Sequence, residues 1–256
     1  MFLTFVVLCF LNLSETAARL NHLRIVGGSN VHAGEFPFVV LLISMKRKTL
    51  IQFCTASAIS QRWVLTAGHC LNTRKVEDLF VWHTNFTVPP KNNSLLTKVL
   101  QIEVHPRYMQ RKDITLNLYN DLCLLLVEEL KMARYGRLQA VDHMAMVGIQ
   151  VKYVGGGRLN FTADPKRDAY KPMQIGQGAI TTCDNLMASQ QMLAVCVTPM
   201  KQQRPYRGDS GGPLMLEDKI IGVCSHGRRN GDAPISVFAA LRPQIGWIQN
   251  VIRLYG

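Results

Sequence analysis

Short apolar runs, three to eight residues long, recur along most of the chain and restrict it to a fold built from strands. They are Phe38–Ile43, Trp63–Leu65, Leu122–Val127, Val147–Val154, Leu214–Leu216 and Ile220–Cys224. Gly, Pro, Asn and charged residues separate them, as expected for antiparallel strands joined by turns. One segment breaks the pattern. Ile245, Ile248 and Ile252 recur at helical spacing, so a terminal helix packed on the body is expected. No repeat or low-complexity tract interrupts the series. With 256 residues, 48% of them hydrophobic, the chain can bury a large core.

The N-terminus has its own signature. Phe2 to Leu13 are almost wholly apolar, too few to cross a bilayer but enough for a signal-peptide core, although no basic n-region precedes them. Cleavage after Ala18, with Thr16 at the second small position, gives a signal peptide of residues 1–18 and a pro-segment of residues 19–24. The remainder, 25–256, is expected to be a secreted, extracellular domain. Cysteine usage agrees: of seven, Cys9 leaves with the leader and six remain, suited to an oxidising compartment. Asn85-Phe86-Thr87, Asn92-Asn93-Ser94 and Asn160-Phe161-Thr162 are glycosylation sequons at Asn85, Asn92 and Asn160.

Three further stretches carry chemistry. Gly208-Asp209-Ser210-Gly211-Gly212-Pro213 could be an ordinary polar turn. It could equally present a serine hydroxyl together with backbone N–H groups turned into one small space. A hydroxyl nucleophile needs a base and donors for the oxyanion it creates. Thr66-Ala67-Gly68-His69-Cys70 follows the run Trp63-Val64-Leu65, which sets His69 just past a strand end. Asp121 enters the apolar run Leu122–Val127, where an unpaired carboxylate is costly to bury. Each is unremarkable singly.

Taken in order with Arg24-Ile25-Val26-Gly27-Gly28, these motifs resemble the chymotrypsin family of serine peptidases, from Ile25 to the C-terminus. The resemblance implies an all-β fold of two antiparallel six-stranded β-barrels with a C-terminal helix and an active site between them. The first barrel (about 25–140) would carry His69 and Asp121, the second (about 141–256) Ser210, with the crossover between Lys131 and Gly148. It implies that His69 is the base, Asp121 its orienting acid and Ser210 the nucleophile, with Gly208 and Ser210 N–H groups as the oxyanion hole. It also implies a zymogen: cleavage of Arg24-Ile25 frees an ammonium on Ile25 that pairs with Asp209. Disulfides Cys54–Cys70 and Cys183–Cys196 follow from the same resemblance. For Cys123 and Cys224, a third disulfide and two free thiols both stay open.

The chain also departs from the family. Arg204 stands at the pocket base, where trypsin-like members have an aspartate, so cleavage after Lys or Arg is not expected. A cation there either attracts acidic side chains, closes the pocket or points outward. Tyr206 replaces a bridging cysteine, and Val151 and Leu216 replace another pair. His226 takes a tryptophan's place in the substrate-pairing strand Ser225-His226-Gly227, Ser236 is expected to line the pocket, and Gly156 stands where the family has a tryptophan. No acid lies between Asp78 and Glu103, so no calcium is expected, nor any other metal or cofactor. The formal charge is +12, or +11 without residues 1–24, and the scattered basic residues point to no nucleic-acid module. Expected partners are a protein or peptide substrate, an activating trypsin-like peptidase, a protein inhibitor, and an anionic surface or glycosaminoglycan; the chain is expected to be a monomer. The alternative to an active peptidase is a catalytically weak homologue that acts as a binding protein.

Overall fold

Phe38 to Ile43 are buried at every position, so their strand is covered on both faces. That happens when one face lines a barrel and the other meets a second packed layer. The computed structural model describes residues 25–255 apart from 47–48, 72, 89–94, 111–117, 158–170, 185, 187 and 231–232, and it provides both layers. Arg24, Asn92, Asn160 and the proposed leader and pro-segment fall outside the described residues.

The first strands are β1 (Ser29–Asn30), β2 (Val39–Lys46), β3 (Thr49–Ala58), β4 (Trp63–Thr66), β5 (Leu79–Trp82), β6 (Leu96–Val104), β7 (Met109–Gln110) and β8 (Leu118–Tyr119). There follow β9 (Cys123–Val127), β10 (Arg137–Leu138), β11 (Gln150–Gly155), β12 (Gln174–Thr181), β13 (Ala194–Pro199), β14 (Pro213–Leu216), β15 (Lys219–Asn230) and β16 (Ala233–Ala240). Helix α1 (Ala188–Gln191) is a single turn, and α2 (Ile245–Tyr255) ends the chain.

Strands β2, β3, β4, β9, β6 and β5 close one antiparallel barrel. The order β12-β11-β14-β15-β16-β13 forms the second, closed where β13 pairs back onto β12. Two six-stranded barrels are therefore present, as the chymotrypsin resemblance implies. The crossover runs from the end of β9 at Val127 to the start of β11 at Gln150, around the expected segment.

One boundary differs from expectation. Residues 25–30 pack with the second barrel rather than the first: β1 pairs with β12, and Ile25 joins the core of Tyr153, Val197 and Phe238. The reason lies in the edge of β12. Strand β13 covers Gly178–Thr181 and leaves Gln174 and Ile175 open, and β1 caps those two.

The C-terminal helix forms as expected but leans on the first barrel. Ile248 and Val251 join the apolar cluster that holds Val64, Leu65 and Leu124. Trp247 meets the His105 ring edge-on at 4.6 Å, and Gln244 Nε2 donates to Asn120 Oδ1 at 2.5 Å. The chain thus crosses to the second barrel and returns to brace the first just before Asp121.

Cys54–Cys70 and Cys183–Cys196 are disulfide-bonded. The third bridge left open by the sequence does not form: Cys123 and Cys224 are both free and buried. Cys123 lies between Thr66 and Val104 in the first barrel, whereas Cys224 lies opposite Phe238 in the second. Burial holds both thiols well above their ordinary pKa, so they behave as small apolar groups. Val151 and Leu216, in place of another family disulfide, both pack in the second core.

Two histidines tie stability to pH. Burial lowers the pKa of His83, and burial followed by the Arg107 charge lowers that of His105 against an opposing hydrogen bond to Gln244. Both are therefore more readily protonated in the unfolded chain, so their stabilising contribution is present above pH 6.5 and is lost as the pH falls below it through their lowered folded pKa values. Thermal melts followed by circular dichroism should give a lower Tm at pH 5.5 than at pH 7.5. Each kcal/mol corresponds to about 2–4 °C in a domain of this size. The slope should flatten in His83→Gln; an unchanged slope would show that His83 is not a source of it.

Candidate active site

The three candidate residues are carried by segments whose ends meet between the barrels. Strand β4 ends at Thr66, and the chain tightens into a 3-10 turn, Gly68–Cys70, that presents His69. The turn is pinned at one end by the Cys54–Cys70 disulfide. Gly68 keeps this corner close: a Cβ there would stand 3.3 Å from Asp121 Oδ1 and from the ring of Tyr108, a tight fit. Asn120, at φ 55°, turns the chain into β9 and sends Asp121 inward.

Asp121 has no solvent exposure. Its Oδ1 accepts the His69 backbone N–H at 2.8 Å, and its Oδ2 accepts the His69 Nδ1–H at 2.8 Å. Oδ2 also accepts the Ser225 hydroxyl at 2.5 Å. Burial alone would raise the pKa of this carboxyl. The His69 hydrogen bond and charge, with the Ser225 hydroxyl, outweigh burial and bring it below the ordinary value. An ionised Asp121 fixes the proton of a neutral His69 ring on Nδ1 and leaves Nε2 as an acceptor. Behind it, burial and then the Asp121 charge push the Tyr108 phenol up, so that ring stays neutral.

Ser210 is supplied by the second barrel in the loop before β14. No hydrogen bond joins its hydroxyl to His69 among the described residues. In unliganded peptidases this contact is often long and closes with substrate. Neither the Gly208 nor the Ser210 N–H has a backbone acceptor among the described residues, so both donors are available to an oxyanion. Gly208 reaches this conformation with φ 92° and Gly211 with φ 83°. A side chain on Gly211 would also strike Thr66 and the Thr55 carbonyl, so glycine is needed there twice over.

Residues that the sequence did not single out hold this loop. The Thr55 hydroxyl donates to Gly208 O at 2.8 Å and accepts the Gly156 N–H at 3.0 Å. The Thr55 N–H donates to Ser210 O at 2.9 Å, and the Thr66 hydroxyl donates to Thr55 O at 2.9 Å. First-barrel threonines thus set the position of a second-barrel nucleophile. Nothing local in the sequence marks them; buried threonine in a strand is ordinary.

The remaining candidates divide. Asp209 is buried and accepts N–H groups from Gly157 at 2.7 Å and Tyr206 at 2.8 Å. Gly155 makes room for its carboxylate, since a Cβ there would overlap it. Ile25 is buried, and the next residue, Val26, forms a two-way bridge with Arg204, at 2.9 and 3.1 Å. Arg204 itself is exposed, as are Arg207 and Gly227. Ser225 is turned to Asp121, while Ser236 lies opposite Gly227 in the ladder and is buried. Gly156 has a steric cause: Leu41 Cδ2 occupies the space a side chain would need. Asn85 of the first sequon is exposed, with Thr87 donating to its side chain.

The fold and this constellation define a peptidase-type site of the double-barrel class. A trypsin family model matches residues 25–248, and the chain belongs to that family. It is 28% identical over 234 residues to a chymase of Rattus norvegicus, covering 90% of this chain and 91% of the relative. To chymotrypsin-C of Mus musculus it is 29% identical over 250 residues, covering 90% of each. Among solved structures it superposes on a scabies mite inactivated protease paralogue with TM-score 0.71 and 23% identity, covering 88% of this chain and 98% of the other, a likeness of fold.

Thr55→Val keeps the shape of the side chain but removes the hydroxyl shared by Gly208 O and Gly156 N–H. Leaving those buried groups unpaired should cost about 3 kcal/mol in urea unfolding, with Thr55→Ser close to wild type. A wild-type midpoint in the valine variant would show that the hydroxyl does not hold the loop.

Proposed function

We propose that the chain is a secreted serine endopeptidase, made as a zymogen and activated by cleavage after Arg24. The observation that carries the reading is the paired Asp121–His69 contact at 2.8 Å twice over, which engages Nδ1 and leaves His69 Nε2 as the base. In this mechanism Ser210 Oγ attacks the scissile carbonyl and gives its proton to His69 Nε2. The Gly208 and Ser210 N–H groups receive the oxyanion. His69 then protonates the leaving amine, and water, deprotonated by the same nitrogen, releases the acyl group from Ser210. Cleavage before Ile25 creates an ammonium close to the segment Val26–Arg204, and its partner is Asp209, a buried carboxylate that accepts the Gly157 and Tyr206 N–H groups. The substrate is a protein or peptide, and the activator a peptidase that cuts after Arg.

Specificity follows from Arg204, an exposed cation at the position that forms the pocket base in the family, which favours an acidic side chain at the cleavage point. The basic surface offers docking to anionic surfaces or glycosaminoglycans, and a protein inhibitor is a further partner. One observation favours the second reading, a catalytically weak homologue that binds a partner: Ser210 and His69 are not hydrogen-bonded.

A fluorophosphonate probe separates the two readings. Protein cut at Arg24-Ile25 should be labelled at Ser210, uncut protein and Ser210→Ala should not, and Asp121→Asn should lose activity by roughly four orders of magnitude because the imidazole tautomer is lost. Absence of labelling in the cut wild type would leave the binding-protein reading. A peptide library on the cut enzyme should show acidic residues enriched at the cleavage point, and Arg204→Ala should remove the enrichment. Enrichment that survives in Arg204→Ala would overturn the role of this side chain.

A further inference from the structure

Strand β15 carries an irregularity beside the active site. Cys224 lies opposite Phe238 and His226 opposite Val237, so Ser225 is an extra residue in the ladder with β16. In a regular strand, neighbouring side chains point to opposite faces. A bulge breaks that alternation and re-aims them. Here it brings two consecutive side chains together: Ser225 Oγ is 2.5 Å from Asp121 Oδ2 and 3.1 Å from His226 Nδ1.

Proton counting assigns the direction of both bonds. A serine hydroxyl has one proton and two lone pairs, and an ionised carboxylate only accepts. At 2.5 Å from Asp121 Oδ2, the Ser225 proton must lie toward the carboxylate, because the other rotor would set two oxygen lone pairs against each other. The contact with His226 is then made by Nδ1–H donating to Ser225 Oγ. Asp121 Oδ2 consequently sits at the junction of two chains of donors, one through His69 and one through Ser225 from His226.

We infer that His226 is a positioning residue for the triad: its Nδ1–H locks the Ser225 hydroxyl toward Asp121, which keeps the carboxylate ionised and its lone pair aimed at His69. This rests on the peptidase reading of the site. It differs from the role of a wall residue on the substrate-pairing strand, which would act on substrate alone. An aromatic ring without nitrogen at this position offers Ser225 no donor. Asparagine does, because its Nδ2 stands about where the imidazole Nδ1 stands, whereas glutamine extends its amide to the more distant Nε2 position.

The test uses diisopropyl fluorophosphate, a small reagent with no peptide backbone to pair with β15. In its reaction the Ser210 Oγ–phosphorus bond forms, the phosphorus–fluorine bond breaks, fluoride leaves and the serine proton passes to His69. Rates are measured on the full chain cut at Arg24-Ile25, with melts to show that each variant is folded. His226→Phe and His226→Gln should react roughly five- to tenfold more slowly than wild type, the scale of one net hydrogen bond, and His226→Asn within about twofold of it. A wall role alone would raise KM for peptides and leave these rates equal. Equal rates in the Phe and Gln variants, or an Asn variant as slow as they are, would overturn the inference. If the wild type itself does not react, the peptidase reading fails, and this inference fails with it.

Discussion

The structure is organised around a charge that should not be comfortable where it is. Asp121 is fully buried, just before the apolar strand β9, and an isolated carboxylate there would take up a proton instead. It remains ionised because it receives three donors, two from His69 and one from Ser225. Those donors come from β4's end in the first barrel and from β15 in the second. Satisfying one carboxylate therefore fixes the distance and rotation between the barrels, and breaking any partner leaves part of a buried charge uncompensated. Asn120, braced by Gln244 from the run into α2, holds the approach to this residue.

The nucleophile loop depends on the same inter-barrel contact from the other side. Its carbonyls at Gly208 and Ser210 are bound by Thr55, and its Gly208 and Ser210 N–H groups, the proposed oxyanion donors, have no backbone acceptor among the described residues. Preorganised donors of this kind help because they need no reorientation when charge develops. Gly211 fits between Thr66 and Thr55 only because it has no side chain. His69 and Ser210, the proposed base and nucleophile, are thus supplied by different barrels but share one set of fastenings.

The strands and the terminal helix could be read from the sequence because each has a local signal, apolar periodicity or helical spacing, and the pairing of His69 with Asp121 was legible in motifs whose residue types carry a mechanism. The side of the molecule joined by Ile25 could not, since it depends on which strand edge is left open by β13, a property of the closed sheet. Thr55 escaped notice for a similar reason, as its partners are 101 and 153 residues away. The free state of Cys123 and Cys224 was decided by barrel membership, although both lie close to Asp121 along the chain or in space. The bulge at Ser225 leaves no trace in composition, because it follows from the register between β15 and β16.

The departures from the family share a pattern. Gly156, Tyr206, Arg204 and the Val151–Leu216 pair all lie in the second barrel or the loops that line its mouth, and each is accommodated locally. Leu41 fills the space left by the missing tryptophan, the Tyr206 N–H serves Asp209, and apolar contact takes over from a disulfide. None of these residues touches the donors that hold Asp121. The pocket and the Asp121–His69 pair therefore rest on separable supports, whereas Gly156 and Tyr206 bear on the Ser210 loop through Thr55 and Asp209. His226 is the exception, because it stands on the substrate-pairing strand while its Nδ1 is bonded to a partner of Asp121. A change there reaches both substrate recognition and the orientation of the triad, which makes it the position where the two are physically coupled.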